Sequence, residues 1–127
     1  MKRRLLIIFS AIFVLQAYLF AGGNNVPEVI INSLKNGDAT ELSKHFNNTI
    51  ELTINGNEQI YSKTQAELIL KNFFKENPPS EVKVLHQSGK EAWYAILSMK
   101  SGEKSYRITL LIKEKDSKNL IHQLRIE

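Results

Sequence analysis

The feature that most limits the fold of this chain is a change in hydrophobic period after residue 79. From there to the C-terminus, apolar and polar residues alternate over residues 81–87, 92–99, 105–113 and 120–126, with short polar turns between them. Alternation at a period of two is typical of β-strands, and turns this short join antiparallel neighbours. The C-terminal part of the chain is therefore predicted to be a four-stranded antiparallel meander.

Two short helices are predicted near the start of the domain, the first over residues 27–36. Asp38 and Glu41 are predicted to form a capping box at the start of the second helix, and the apolar stripe of that helix is formed by Ala39, Leu42 and Phe46. Stripes of this kind pack on a larger apolar surface.

A hairpin is predicted next, because residues 49–54 alternate as a half-buried strand and run into Asn55 and Gly56. Asn-Gly is a strong signal for a two-residue hairpin turn. Such a turn places Ile60 opposite Glu51 on the outward face. The sequence leaves open whether the loop is longer or whether Ile60 meets an apolar surface.

The longest helix is predicted to begin at a capping box formed by Ser62 and Gln65 and to stop at Asn77, before two prolines. Its apolar stripe consists of Ala66, Ile69, Leu70, Phe73 and Phe74. Two aromatic rings on one stripe predict that this helix is the element over which the sheet folds.

Residues 1–21 have the composition of an export signal, with Lys2, Arg3 and Arg4 before an apolar run and Ala21 before two glycines. A retained membrane anchor is the alternative, because residues 5–21 reach the lower limit of a membrane span. Residues 22–127 are predicted to form a single domain in the periplasm or outside the cell, with contact to a membrane only through residues 1–21.

Charge and cysteine content exclude several classes of function. Of the 17 basic residues three lie in residues 1–21, so residues 22–127 carry 14 basic against 13 acidic residues, a net charge of +1. This balance does not predict nucleic-acid binding. The chain has no cysteine, which excludes disulfides and thiolate chemistry. The three histidines lack metal-ligand spacing and the glycines form no phosphate-binding motif, so neither a metal nor a cofactor is predicted.

The order of two helices, a hairpin, a long helix and four strands resembles the nuclear transport factor 2-like, or cystatin-like, α+β fold over residues 26–127. In that fold a curved antiparallel sheet wraps around one long helix as a cone. A closer resemblance, to the exported bacterial proteins of domain of unknown function family 4783, is carried by KNGDATELSKHF, ELTINGNEQIYSKTQAELILKNFF, VLHQSG and LRIE. The resemblance implies fold and export, and it implies no activity.

In the wider superfamily, ligand pockets and active sites lie inside the cone, between the long helix and the sheet. The residues predicted to line such a pocket here are Tyr61, Leu70, Phe73, Phe74, His86, Trp93, Tyr106 and His122. Core packing predicts the same aromatic residues.

Two of these residues are histidines whose parity predicts that they face the interior. His122 alternates with Leu120 and Leu124, and His86 shares the parity of Val84. An imidazole buried on an apolar face needs a hydrogen-bond partner, a water molecule or a ligand. His45 lies beside the stripe of the second helix and is predicted to be solvated.

The leading hypothesis is a non-catalytic binding module that holds a small apolar or amphipathic ligand in the cone. The alternatives are a structural or protein-interaction domain and an isomerase- or dehydratase-like enzyme that uses His86 and His122 with Tyr61 or Tyr106. No catalytic residue is predicted, because both aspartates of residues 22–127 fall in a helix cap or a turn and no nucleophile motif is present.

The middle strands carry apolar residues on both faces, with Trp93 and Ala95 on one face and Tyr94 and Ile96 on the other. Strands of this kind are covered on both sides. A homodimer through the outer face, with Tyr94, Ile96 and Leu111 at the interface, is therefore expected.

Overall fold

The computed structural model describes residues 25–127, so the predicted export signal lies outside the described residues. Two helices come first, followed by a hairpin, a long helix and four strands. The bounds are α1 Glu28–Lys35, α2 Ala39–Ser43, β1 Phe46–Ile54, β2 Asn57–Ser62, α3 Lys63–Glu76, β3 Glu81–Gly89, β4 Ala92–Ser101, β5 Lys104–Lys115 and β6 Lys118–Ile126. None of the helices in residues 25–127 is both long enough and apolar enough to cross a membrane.

The six strands form one sheet in the order β2-β1-β6-β5-β4-β3. Strands β3 to β6 are antiparallel neighbours, which confirms the predicted meander. Strand β1 pairs with β2 in the hairpin and, in parallel, with β6. This parallel pair joins the two ends of the domain, and no local pattern predicts it.

One face of the sheet packs against the helices and forms the core; we call it the inner face. The strands contribute Leu52, Trp93, Ala95, Leu97, Met99, Ile108, Leu110, Ile112, Ile121, Leu124 and Ile126, and all of them are buried. Helix α3 contributes Ala66, Leu70, Phe73 and Phe74. Each large side chain buried in this way contributes about 1.5–3 kcal/mol, so the interior of the cone provides most of the stability.

Side-chain hydrogen bonds fix both ends of α3. The predicted capping box is confirmed, since the Gln65 N–H donates to Ser62 Oγ at 3.2 Å and the Ser62 N–H donates to Gln65 Oε1 at 3.2 Å. At the other end, Asn77 Nδ2 donates to the Phe73 carbonyl at 3.1 Å, and Tyr106 Oη donates to Asn77 Oδ1 at 2.7 Å. The helix is thereby bound to strand β5.

Helix α2 is shorter than its apolar stripe predicts. Only the Asp38 half of the predicted capping box is present: Asp38 Oδ1 accepts a hydrogen bond from the Glu41 N–H at 3.0 Å, and the Glu41 carboxylate accepts one from Lys44 Nζ at 2.8 Å. The helix ends at Ser43, however, and Phe46 begins strand β1. The carbonyl of His45 accepts a hydrogen bond from the Ile121 N–H at 2.7 Å. Pairing with β6 thus overrides the helical spacing of Phe46.

The β1–β2 hairpin has the register of a two-residue turn. Asn55 and Gly56 have φ angles of 49° and 85°, as the left-handed positions of a type I′ turn require. Ile60 therefore lies opposite Glu51, and its side chain is 75% exposed. The alternative of a longer loop is excluded, and Ile60 faces outwards.

Candidate functional site

Four of the predicted pocket residues are packed against one another inside the cone. Leu70, Phe73, Phe74 and Trp93 are all buried. The ring of Phe73 contacts the rings of Phe74 and Tyr106 edge to face, with centroids 5.7 and 5.4 Å apart. These side chains fill the interior as a core does. Their role as ligand contacts stays a prediction.

The two predicted tyrosines are half-buried on the inner face. Tyr61 lies opposite Ile50 in the hairpin. Tyr106 uses its hydroxyl to bind Asn77 at the end of α3. The Tyr106 hydroxyl thus already takes part in a structural contact.

His86 does not face the interior, because strand β3 contains a bulge. Val84 pairs with Leu97 and His86 pairs with Ile96, which leaves Leu85 as an extra residue between them. An extra residue reverses the alternation of the side chains that follow. His86 is therefore exposed on the outer face.

The same bulge brings Gln87 to the inner face, where His86 was expected. Gln87 Oε1 accepts a hydrogen bond from the Val26 N–H at 2.8 Å, and Gln87 Nε2 donates to Asn25 Oδ1 at 3.1 Å. Gln87 thereby fixes the first described residues to strand β3. No local pattern predicts this role, because nothing in the composition of β3 marks the bulge.

His122 also occupies a bulge. Leu111 pairs with Gln123 and Ile112 pairs with Ile121, so His122 is the extra residue on β6. Ile121 takes the inward position opposite Ile112. The prediction that Leu120 lies on the same face as Leu124 is therefore wrong, because the extra residue interrupts the alternation between them.

The parallel ladder with β1 shifts at the same point of β6. Phe46 pairs with Ile121, whereas Glu51 pairs with Gln123, so both neighbours of β6 lose register beside His122. The Nε2 atom of His122 is buried and lacks a hydrogen-bond partner among the described residues. Burial lowers the pKa of His122, and the positive charges of Lys113 and Lys115 lower it further.

His45 also differs from its prediction. Its side chain is half-buried rather than solvated, and its Nε2 atom is inaccessible and without a partner in the described part of the chain. The cause is the short α2, which places His45 directly before β1 and against the end of β6.

The outer face of the sheet presents two aligned rows of side chains. The first row crosses the sheet as Ser88, Tyr94, Leu111, Gln123, Glu51 and Ile60, and the second as His86, Ile96, Thr109, Arg125, Thr53 and Glu58. Strands β4 and β5 thus carry an apolar strip, which we define as Tyr94, Ile96 and Leu111. Strands β1 and β2 carry a carboxylate pair, Glu51 and Glu58.

The carboxylate pair is electrostatically unfavourable. A side-chain hydrogen bond with Glu58 raises the pKa of Glu51, and partial burial and the negative charge of Glu58 raise it further. The positive charge of Arg125 opposes this increase. The guanidinium of Arg125, however, donates to Glu127 Oε1 at 3.0 Å. Neither carboxylate of the pair forms an ion pair with Arg125.

An open cleft of about 400 Å³ lies between α1 and the start of β3, outside the cone. It is lined by Lys35 and residues 80–83 and by none of the eight predicted pocket residues. Glu81 at its edge bridges Lys83 and Lys100 at 2.9 and 3.5 Å. The hydrogen bond from Lys83 and the charges of both lysines lower the pKa of Glu81. The polar side chains at the cleft edge thus already bind one another.

Within residues 25–127 no group of three or more histidine, aspartate or glutamate side chains is placed to hold a metal ion.

The family model of a domain of unknown function, DUF4783, matches residues 27–127. The chain belongs to the DUF4783 family. Two solved DUF4783 structures are similar to it, and both have a TM-score of 0.77. The protein from Bacteroides ovatus is 28% identical and the match covers 82% of this chain and 96% of that one. The protein from Bacteroides uniformis is 27% identical, with 81% and 96% covered. No curated protein matches the chain.

More distant neighbours of this DUF4783 protein confirm the nuclear transport factor 2-like fold. One is a protein of unknown function with that fold from Shewanella baltica, with a TM-score of 0.62, 10% identity, and 79% and 85% of the two chains covered. Another is a putative calcium/calmodulin dependent protein kinase II association domain from Xanthomonas campestris, with a TM-score of 0.60, 13% identity, and 78% and 79% covered. At these identities the likeness concerns the fold alone.

Proposed function

We propose that this DUF4783 protein is a non-catalytic interaction module that binds a second copy of itself through the apolar strip. The observation that carries the proposal is the exposure of Tyr94, which is 49% accessible on the outer face of β4, a strand paired on both sides. Ile96 lies on the same strand and Leu111 directly opposite Tyr94. A contiguous apolar surface surrounded by polar residues is typical of an interface.

The expected ligand inside the cone has less support. The side chains that were to contact it are buried against one another, and a ligand would have to displace them. Protein interiors packed in this way contain few voids larger than a water molecule.

An enzyme that uses both histidines also has less support. His86 lies on β3 and His122 on β6, with two strands between them. Neighbouring strands are about 4.8 Å apart, which separates the two backbones by roughly 14 Å. General acid–base catalysis needs groups within hydrogen-bond reach of one substrate atom. The two histidines and the inward-facing Tyr61 do not meet this condition.

The size of the outer face suits a modest interface. Six strands of this length cover roughly 30 by 24 Å, or about 700 Å² in projection. A standard interface buries about 800 Å² on each partner. Because only the strip on β4 and β5 is apolar, we expect self-association toward the weak end of this class.

A two-fold dimer would cover the apolar strip of both subunits, because an isologous interface uses the same patch on each partner. Tyr94 and Leu111 are direct neighbours on antiparallel strands, so a partner strip rotated about a two-fold axis meets a similar surface. The name of the Xanthomonas campestris neighbour, an association domain, describes that protein and adds a reason to test assembly first.

The test is the oligomeric state of the Tyr94→Glu variant, measured by analytical ultracentrifugation over a concentration series. A charge at this position must be desolvated in the dimer, so we expect the variant to be monomeric while the wild type dimerises. The matched control is Leu68→Glu, at a similarly exposed apolar residue of α3, which should dimerise as the wild type does. A monomeric wild type at high micromolar concentration contradicts the proposal. So does an equal loss of dimer in both variants.

A further inference from the structure

The carboxylate pair flanks Thr53 on the outer face of the hairpin. Thr53 lies directly opposite Glu58, and Glu51 precedes Thr53 by two residues on the same strand. Residues two apart on a strand share a face, and diagonal neighbours across a pair of strands are about 7–8 Å apart. Both glutamate side chains therefore reach the position above Thr53.

The hydroxyl of Thr53 is unusual for a strand residue on an outer face. The residue is only 1% exposed, and its Oγ1 atom has no hydrogen-bond partner in the described part of the chain. Buried polar atoms are almost always hydrogen-bonded, and an orphan requires an explanation. The buried hydroxyl of Thr53 and the two neighbouring carboxylates are explained together if all three bind one ligand.

No cation of the described residues occupies this position. Arg125 lies beside Thr53 on strand β6, but its guanidinium donates to Glu127 at 3.0 Å. The ion pairs within residues 25–127 involve neither Glu51 nor Glu58. The side-chain hydrogen bond with Glu58, partial burial and the negative charge of Glu58 raise the pKa of Glu51, and the nearby positive charge of Arg125 offsets this only in part.

We propose that Glu51, Glu58 and Thr53 form a binding site for a hard divalent cation, with Ca²⁺ as the best fit. Calcium takes six to eight oxygen ligands in flexible geometry, and carboxylates bind it through one or both oxygens. Two bidentate carboxylates and one hydroxyl supply about five ligands, and water completes the shell. Magnesium demands stricter octahedral geometry, and zinc prefers nitrogen and sulfur ligands.

The surroundings set the strength of this site. Both carboxylates lie near the protein surface, and the positive charge of Arg125 reduces their attraction for a second cation. Extracellular calcium modules with few charged ligands bind in the range of about 10⁻⁴–10⁻³ M. We expect a dissociation constant near the upper end of that range, and tighter binding when Arg125 is neutralised.

The site is independent of the proposed dimer. Strands β5 and β6 separate the carboxylate pair from Tyr94 on the outer face. The Tyr94→Glu variant should therefore bind calcium as the wild type does, so that the two proposals fail or succeed separately.

The first measurement is thermal unfolding of the protein in CaCl₂, compared with NaCl of equal ionic strength. With a dissociation constant of about 1 mM, roughly 10 mM Ca²⁺ multiplies the folded-to-unfolded ratio about 11-fold. For a domain of this size that ratio raises Tm by roughly 5–10 °C. A Tm that follows ionic strength alone overturns the proposal.

Variants locate the effect. Glu58→Gln should abolish the calcium-dependent rise, Thr53→Val should weaken it while keeping the shape of the side chain, and Arg125→Gln should strengthen it. The matched control is Glu103→Gln, in the exposed turn between β4 and β5, which should respond as the wild type does. Equal responses of Glu58→Gln and Glu103→Gln overturn the site. The calcium affinity of Thr53→Val is measured from amide chemical shifts during a titration. If it equals that of the wild type, the hydroxyl is not a ligand.

Discussion

Three polar side-chain atoms are both buried and without a hydrogen-bond partner among the described residues: Nε2 of His45, Nε2 of His122 and Oγ1 of Thr53. All three belong to or adjoin the junction of β1 and β6, where the parallel ladder loses register. An orphaned buried group costs about 1–3 kcal/mol. The junction is therefore less well stabilised than the regular meander, and it is where single residues most affect stability.

His122 makes stability depend on pH in a defined direction. Its pKa in the folded protein lies below the ordinary value of 6.5, because burial and two lysines disfavour the imidazolium. As the pH falls below about 6.5, the unfolded chain gains a proton that the folded chain resists, so stability is lost through that window.

We expect the wild type to lose more stability between pH 7.5 and 5.5 than the His122→Gln variant, measured by urea unfolding at both pH values. The difference between the two losses of stability should stay below roughly 1.4 kcal/mol per pH unit, the value for a group that binds a proton only in the unfolded chain. It should be smaller here because the His122 side chain is only half-buried. His86→Gln, at an exposed histidine, serves as the control and should follow the wild type. Parallel losses in the wild type and His122→Gln contradict the assignment.

At the scale of elements, the two edge strands are poor sites for strand addition. Strand β3 is interrupted by the Leu85 bulge, and strand β2 is only six residues long and carries Glu58 on its outer face. Bulges, charges and short length each prevent edge-to-edge pairing. The proposed dimer through the outer face uses neither edge strand.

Substitution of two glycines, Gly56 in the hairpin turn and Gly89 at the end of β3, would show how tightly the backbone is constrained at these positions. Gly56 has a φ of 85° and open space where a Cβ would lie, whereas a Cβ on Gly89 would lie 2.8 Å from Trp93 Cα and still closer to the Ala92 carbonyl oxygen. We expect Gly56→Ala to destabilise the protein by about 1–2 kcal/mol through backbone strain alone. Gly89→Ala should cost more, because backbone must move as well.

Chemical unfolding of both glycine variants provides the measurement. Gly102→Ala is a second control for strain without contact, since Gly102 has a φ of 59° and open space around it. A Gly89→Ala variant as stable as Gly56→Ala would show that the end of β3 is looser than its geometry indicates.

At the scale of the whole molecule, the side chains on the inner face of the cone are buried as in a packed core. Ala95 lies fully buried at the centre of the inner face, between Gln87 on β3 and Leu110 on β5. Overpacking a filled core typically costs about 1–3 kcal/mol. A ligand cavity at this position would accept a larger side chain instead.

We therefore expect Ala95→Phe to destabilise the protein by at least about 1–3 kcal/mol, measured by urea unfolding. The matched control is Ala92→Phe, at an exposed position of the same strand, which should change stability little. An Ala95→Phe variant with unchanged stability would favour the ligand-binding hypothesis over a filled core.

Local patterns were sufficient for most elements of this fold. The meander, the hairpin turn and the capping box at Ser62 each depend on neighbours in sequence, and the structure confirms them. The same holds for the two-faced character of β4, with Trp93 inward and Tyr94 outward. Alternation, turn residues and helix caps each depend on interactions within a few residues. A short stretch of sequence is therefore enough to predict them.

The placement of the candidate site residues depended on contacts distant in sequence. One extra residue at Leu85 moved His86 to the outer face, and another at His122 interrupted the predicted alternation of β6. The parallel pairing of β1 with β6 placed Phe46 on a strand and Thr53 beside Arg125. Bulges and long-range ladders depend on how whole strands fit together. Patterns among near neighbours therefore set the helices, strands and turns, whereas contacts between distant strands set which side chains meet.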